Sequence, residues 1–206
     1  MDISLLLRGI VLGLSIAAPV GPIGLLCIRR TLAHGRATGL ASGLGAATAD
    51  GIYGMIGAFG LTALIVVLTD AQFWLRLVGA VFLLFLGVHT MRVRPAEHEA
   101  AAVGRGGLFS AWASTFALTI SNPMTILSFS GIFAGASAPT SNAEAMLLVI
   151  GVFAGSALWW LTITTIVGLL RTRFSPAGLR WVNVASGAVL VVFAAWTLFW
   201  IADFRF

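Results

Sequence analysis

One acidic residue lies deep inside an apolar stretch: Asp50, in the run G-L-G-A-A-T-A-D-G-I-Y-G. An aspartate at the centre of a membrane helix costs about 3 kcal/mol on insertion scales, so it is expected to face a cavity or a polar partner. It could bind and release a proton, or it could pair with an ammonium group on a bound solute. The sequence does not choose between these roles. The alternative is a structural aspartate that Tyr53, an asparagine or a backbone donor satisfies.

The helical face that carries Asp50 is built of small residues. They recur three, four and seven positions apart, which places them on one side of a helix: Gly43, Ala46, Ala47, Gly54 and Gly57. Such a stripe allows another helix to approach closely, leaves room for a small solute, or serves a homo-oligomer. Tyr53 lies one turn from the acid and is a second candidate for binding a solute or a proton.

Two apolar segments are interrupted by helix-breaking residues. Pro19 and Pro22 remove two backbone donors, and Gly21 between them relaxes the backbone. Unsatisfied backbone groups in lipid cost several kcal/mol each, so an irregular backbone is tolerated there only beside protein or a watery cavity. A kink that serves packing alone is the other interpretation. The second interruption is Asn122-Pro123, in the second half of the chain. Together the two interruptions predict a cavity that includes Pro19, Gly21, Pro22, Ser121, Asn122 and Pro123.

The composition indicates that membrane helices position these residues. Of 206 residues, 59% are hydrophobic and 9% are charged, and the mean hydropathy is +1.03, which indicates an all-α integral membrane protein. About 20 apolar residues are needed to cross roughly 30 Å of hydrocarbon, and about six segments qualify. They lie near 4–28, 38–68, 72–92, 108–135, 144–170 and 179–202. The longest polar connection, near 92–107, leaves no room for a soluble enzymatic domain.

The charges and the cysteine exclude further classes. Cys27 is the only cysteine, so a two-cysteine redox relay is excluded. The net charge of +5 comes from arginines in alternate connections, which indicates orientation against lipid headgroups rather than nucleic-acid binding. The positive-inside rule places connections one, three and five in the cytoplasm and both termini outside. The arginines of these connections are Arg29, Arg30, Arg36, Arg92, Arg94, Arg105, Arg171, Arg173 and Arg180.

The second half of the chain echoes the first. L-S-I-A-A-P, ending at Pro19, aligns with L-T-I-S-N-P, ending at Pro123, and L-R-L-V aligns with L-R-W-V at the same separation. Three spans per repeat is an odd number, so the halves would cross the membrane in opposite senses. We therefore expect a 3+3 inverted repeat, 1–92 and 108–206 joined by 93–107, with broken or kinked first and fourth helices. Chance similarity between apolar segments is the alternative.

The run from Pro19 to Gly54, P-V-G-P-I-G-L-L-C-I-R-R onward, resembles the LysE/RhtB-type amino-acid exporters, the lysine exporter translocators. N-P-M-T-I-L from Asn122 is similar to the second signature of that family. The resemblance implies a secondary transporter in the bacterial inner membrane, with no cofactor, that exports an amino acid or similar zwitterion using the proton gradient. Pro-Val-Gly-Pro stands where many members have Pro-Gly-Pro, which leaves the substrate open. The positions that match are Pro19, Gly21, Pro22, Asp50, Asn122 and Pro123.

Two other functions compete with amino-acid export. An exporter of metal or other inorganic ions would need several acids or histidines inside the membrane, whereas Asp50 is the one deep carboxylate. A non-transporting membrane assembly component would have a dry interior around Asp50. Accessibility of the small-residue face to water therefore separates the transporter from the assembly component.

Overall fold

The computed structural model describes residues 3–19, 21–59, 72–92, 107–122, 125–126, 128–129, 139–173 and 176–203. Within these ranges all regular structure is helical, which confirms the all-α class. A 3₁₀ turn, Arg171–Arg173, follows the sixth helix. The helices are α1 (Ile3–Ala17), α2 (Pro22–His34), α3 (Arg36–Ala58), α4 (Gln72–Arg92), α5 (Gly107–Ile120), α6 (Asn142–Leu170) and α7 (Pro176–Asp203).

Two of the described helices are long and apolar enough to cross a membrane unbroken: α6 and, within α7, Arg180–Phe199. The pair α1 and α2 forms a third candidate span, bent by 82° at the break between them. The prediction of six spans is therefore supported for two or three of them in the described residues. Helix α4 coincides with the predicted third segment, whereas residues 60–71 of the second segment lie outside the described ranges.

The outer faces of the helices are apolar. Large hydrophobic side chains recur every three or four residues on α1, α4 and α7, so each series forms one exposed stripe. Water-soluble monomers rarely expose such continuous apolar surface, whereas lipid tails solvate it without cost. The stripes are the expected lipid-facing surface of a membrane protein. Their members include Ile3, Leu7, Val11, Val78, Val81, Phe85, Val189, Val192, Trp196 and Phe199.

Glycines bring the helix backbones into direct contact. Helix α1 packs against α6, where a Cβ atom at Gly13 would overlap the Val152 carbonyl and one at Gly155 would overlap the Ile10 carbonyl. Helix α3 packs against α5 in the same way, with Gly45 against the Trp112 carbonyl. Close backbone approach of this kind holds helices together in lipid, where hydrophobic burial provides no driving force between them.

The first predicted interruption is present in the structure. Helix α1 ends at Ala17 and α2 begins at Pro22, with Gly21 as an extended N-cap residue. Proline suits the first helical position because the N–H group it lacks would have no acceptor within the helix. Helix α2 ends at His34 and is followed by Gly35, whose φ of 90° is a conformation that favours glycine. The first span is thus broken, as the sequence predicts.

The predicted end of the first span is wrong. Helix α2 continues to His34, and Gly35 is the single residue between it and α3. Arg29 and Arg30 were therefore expected in a connection but lie on a helix, where Arg29 is only 5% exposed. A pair of adjacent arginines is normally typical of a membrane surface. Here Arg30 is retained inside because α3 and α5 supply oxygen acceptors for its guanidinium.

The glycine contacts generate a prediction about stability. Gly155→Ala places a methyl group against the Ile10 carbonyl and should force α1 away from α6, at about 1–3 kcal/mol. Gly51→Ala is the matched control, because its Cβ would meet only the Phe153 side chain at 3.5 Å. Thermal unfolding of both purified variants in detergent should show a lower Tm for the first alone. Equal melting temperatures would contradict the packing described for α1 and α6.

Candidate functional site

Asp50 lies near the middle of α3 and is 3% exposed. One carboxylate oxygen, Oδ2, accepts a hydrogen bond of 2.7 Å from the Ser156 hydroxyl on α6. The sequence pointed to Tyr53, an asparagine or the backbone as a structural partner, so the serine is a correction. A neutral hydroxyl satisfies only one of the acceptor positions of a carboxylate, which leaves capacity for a further donor.

A cavity lies beside Asp50 at the interruption between α1 and α2. Its empty space is about 410 Å³, including the open mouth. Five of the eight predicted site residues line it together: Pro19, Gly21, Pro22, Asp50 and Asn122. Thr119, Thr125 and Trp160 also line it.

The other predicted residues occupy different places. Ser121 lines a second, mainly apolar cavity of about 360 Å³, which shares Pro22 and Asn122 with the first. Tyr53 lines neither cavity, because its hydroxyl donates to the Ile120 carbonyl at the end of α5. The Tyr53 ring stacks on Phe129, with the ring centres 5.4 Å apart. Pro123 lies outside the described residues.

The N-terminal end of α2 faces the Asp50 cavity. The amide of Leu25 donates to the Gly21 carbonyl at 3.0 Å, and this is the first bond of the helix. The preceding amides, those of Ile23 and Gly24, come before the first acceptor and therefore have no carbonyl within the helix. Both residues line the cavity. Helix N-termini carry a partial positive charge, so this wall of the cavity favours an anionic group.

The second interruption brings Asn122 to the same space. Helix α5 ends at Ile120, and the amide of Asn122 closes a last turn on the Thr119 carbonyl at 3.1 Å. The Asn122 carbonyl then accepts from the amide of Ile126 at 3.2 Å, so a further helical turn starts there. The chain is therefore irregular at Ser121 and Asn122 and places Asn122 opposite the α1–α2 break.

Trp159 and Trp160 lie near mid-helix and are sequence candidates for the wall of a cavity; of the two, Trp160 lines the cavity beside Asp50. Its side chain is 4% exposed and belongs to a buried cluster with Ala17, Cys27, Ala46 and Ala47. A Cβ at Gly43 would overlap the Trp160 side chain, so the glycine makes room for the indole. The position of Gly43 on the Asp50 face was the available sequence signal.

Arg30 has a role that the sequence did not predict, because it was assigned to a connection. Its Nη1 donates to Ser42 Oγ at 2.9 Å, to Thr115 Oγ1 at 2.9 Å and to the Ala111 carbonyl at 3.0 Å. Nη2 donates to Ser114 Oγ at 2.9 Å. These oxygens belong to α3 and α5, so one guanidinium joins three helices. The hydroxyls of Ser42 and Thr115 in turn donate to carbonyls of their own helices.

The site can therefore hold a small molecule with separated charges. A carboxylate and the positive end of a helix face one cavity, which suits a solute that carries both an ammonium group and a carboxylate. Among the described residues, no group of three or more His, Cys, Asp or Glu side chains is placed to hold a metal ion.

Comparison with known proteins identifies relatives along most of the chain. The LysE type translocator family matches residues 14–199. The "Putative amino acid efflux protein YcgF" of Bacillus subtilis (strain 168) is 32% identical over 195 residues, 92% of this chain and 93% of that protein. The "Uncharacterized membrane protein YahN" of Escherichia coli (strain K12) is 29% identical over 179 residues, 81% and 77% of the two chains. No solved structure gives a significant match.

The cavity generates a prediction about labelling. In a Cys27→Ala background, Asn122→Cys should react with a small hydrophilic thiol reagent roughly tenfold faster than Val152→Cys, because reactivity follows exposure. Asn122 lines the cavity, whereas Val152 is 0% exposed and of similar size to cysteine. The rates are measured on purified protein in lipid vesicles. Equally slow labelling of both positions would show a dry interior and favour the assembly component.

The Arg30 contacts predict that lysine cannot replace this arginine. A lysine ammonium is a single point donor and cannot reach the hydroxyls on α3 and α5 together, so Arg30→Lys should lose about 1.5–3 kcal/mol. Arg180→Lys, at an exposed position on α7, is the control. Thermal unfolding in detergent should separate the two variants by several degrees. An Arg30→Lys protein as stable as the control would refute the cross-helix role.

Proposed function

Because the chain belongs to the LysE type translocator family, we propose that it is a secondary transporter that exports an amino acid or a related small zwitterion from the cytoplasm. One observation carries the proposal: Asp50 and the N-terminal end of α2 face the same cavity at an interruption of the first span. The relative from Bacillus subtilis, whose printed description is amino acid efflux, supports the class of solute.

The cavity gives the two ends of such a solute different partners. If Asp50 binds the solute, the ammonium group pairs with its carboxylate, which already accepts one bond from Ser156. The carboxylate lies at the amides of Ile23 and Gly24, where the helix end is positive. Pro19, Gly21 and Pro22 shape this end, and Thr119 and Asn122 offer further polar contacts. Ser121 lines the neighbouring cavity, and the Tyr53 hydroxyl binds the end of α5, while Pro123 stays a sequence candidate.

The transport cycle is alternating access between two inverted halves, 1–92 and 108–206. The packing supports this division, since α1 packs on α6 and α5 packs on α3, while α4 packs on α7. If the two halves are exchanged, the contact between α1 and α6 corresponds to the contact between α5 and α3, and the contact between α4 and α7 corresponds to itself. In an inverted repeat, the solute site lies between discontinuous helices of the two halves, where Asp50, Pro22 and Asn122 meet.

The protein acts in the bacterial inner membrane, with the arginine-rich connections in the cytoplasm and both termini outside. The contact of Arg171 with α2 supports this orientation: its Nε donates to the Leu32 carbonyl at 2.8 Å. The ends of α2 and α6 thus lie on one side, as the positive-inside rule requires for connections one and five. The proton gradient drives export, and Asp50 is the candidate proton carrier.

Replacement of the acid tests the proposal. Asp50→Asn removes the charge but keeps the size, and export into everted vesicles under an imposed proton gradient should fall about 10- to 100-fold. Glu144→Gln is the control, because Glu144 caps the start of α6 far from the cavity, where it accepts from Thr140. A panel of radiolabelled amino acids is used, since the solute is not specified. Unchanged export in Asp50→Asn would contradict the role of this residue.

Counterflow without a gradient separates the two roles of Asp50. If Asp50 carries the proton, the asparagine variant should still exchange labelled for unlabelled solute while gradient-driven export is lost. If Asp50 binds the ammonium group, exchange and export should fall together. Absence of transport of every amino acid by the wild-type protein would overturn the proposed function itself.

A further inference from the structure

The indole N–H of Trp160 is a buried donor without a hydrogen-bond partner in the described part of the structure. Trp112 makes a useful contrast, because its Nε1–H donates to Thr48 Oγ1 at 3.3 Å. Buried polar groups in native proteins are almost always paired, so an exception indicates strain or a partner that binds at another stage. An unpaired donor is especially unfavourable in a membrane protein, where lipid provides no acceptor.

This donor belongs to a side chain of the Asp50 cavity. Trp160 lines the cavity and is 4% exposed. It follows Ser156 by four residues on α6, so the serine that bonds Asp50 and the tryptophan share one helix face. The indole is therefore about one helical turn from Ser156, whose hydroxyl donates to Asp50. The amides of Ile23 and Gly24 border the same space.

We propose that Trp160 Nε1–H binds the carboxylate of the exported solute and makes a free carboxylate a condition of transport. This inference rests on the proposed function and adds its specificity-determining residue. Indole nitrogen is a donor only, so it cannot bind the ammonium group. Its bond to a carboxylate is charge-assisted and stronger than a neutral one. The solute is thus oriented with its ammonium group at Asp50 and its carboxylate at Trp160 and the start of α2.

The nitrogen atom itself is buried, so the indole must turn for its N–H group to reach a solute in the cavity that the side chain lines.

The experiment compares each transported amino acid with the primary amine that lacks its carboxylate. Wild-type protein is reconstituted into liposomes that contain a labelled amino acid. Counterflow is then measured with either the unlabelled amino acid or the unlabelled amine outside. Trp160→Phe and a variant with 3-benzothienylalanine at position 160 remove the N–H group. The second keeps the fused-ring shape and protects the test against a folding defect. Trp181→Phe, at a site that is 74% exposed, is the control.

The wild-type protein and the control should prefer the amino acid over the amine, because a site built around a buried donor rejects analogues without its acceptor. Both position-160 variants should reduce this preference about 10- to 100-fold. An unchanged preference in the 3-benzothienylalanine variant overturns the inference. If the wild-type protein transports the amine as fast as the amino acid, the inference about Trp160 is also overturned, but the proposed export function is not. Wild-type transport of neither compound class refutes the proposed function instead.

Discussion

Lipid tails offer no hydrogen-bond partners, so the buried polar side chains of this chain depend on partners in the protein or in a bound solute. Asp50 finds Ser156, the Tyr53 hydroxyl finds the Ile120 carbonyl, and Arg30 finds oxygens on α5. Each of these bonds joins a residue before position 93 to one after position 107. The need to satisfy buried polar groups therefore also fixes how the first part of the chain packs against the second, and it sets the shape of the cavity between them.

These bonds depend on helices that approach more closely than large side chains allow. The Trp160 side chain packs directly against the α3 backbone at Gly43, and Gly54 packs against Val152 of α6. At these distances the short side chains of Asp50 and Ser156 reach each other at 2.7 Å. The small-residue face predicted on α3 is consequently a packing surface along most of its length. It opens into a cavity where Ala46 and Asp50 meet the α1–α2 break.

The sequence predicted the membrane class, the bounds of α4 and five residues of the cavity because these signals are local. Proline and glycine disturb a helix wherever it packs, and a lone aspartate in an apolar run must be protected from lipid. Ser156 and Arg30 were not predicted because their importance depends on which helix faces them. A serine in an apolar helix gives no distinctive signal, and two arginines usually indicate a span end. Only the register of α3 against α5 and α6 gives them partners.

Helix α2 is held beside the cavity by polar contacts as well as by packing. Beyond the cluster around Cys27 and Trp160, Arg30 donates to neutral oxygens of α3 and α5, and Arg171 donates to the Leu32 carbonyl. One hydrogen bond with a charged partner contributes about 1.5–3 kcal/mol, so the several bonds of Arg30 together make a strong connection. The hydroxyls of Ser42 and Thr115 already donate to carbonyls of their own helices, so separation would leave these donors satisfied. In the proposed alternating-access cycle, water that enters between the helices would therefore have to solvate the guanidinium groups rather than the hydroxyls.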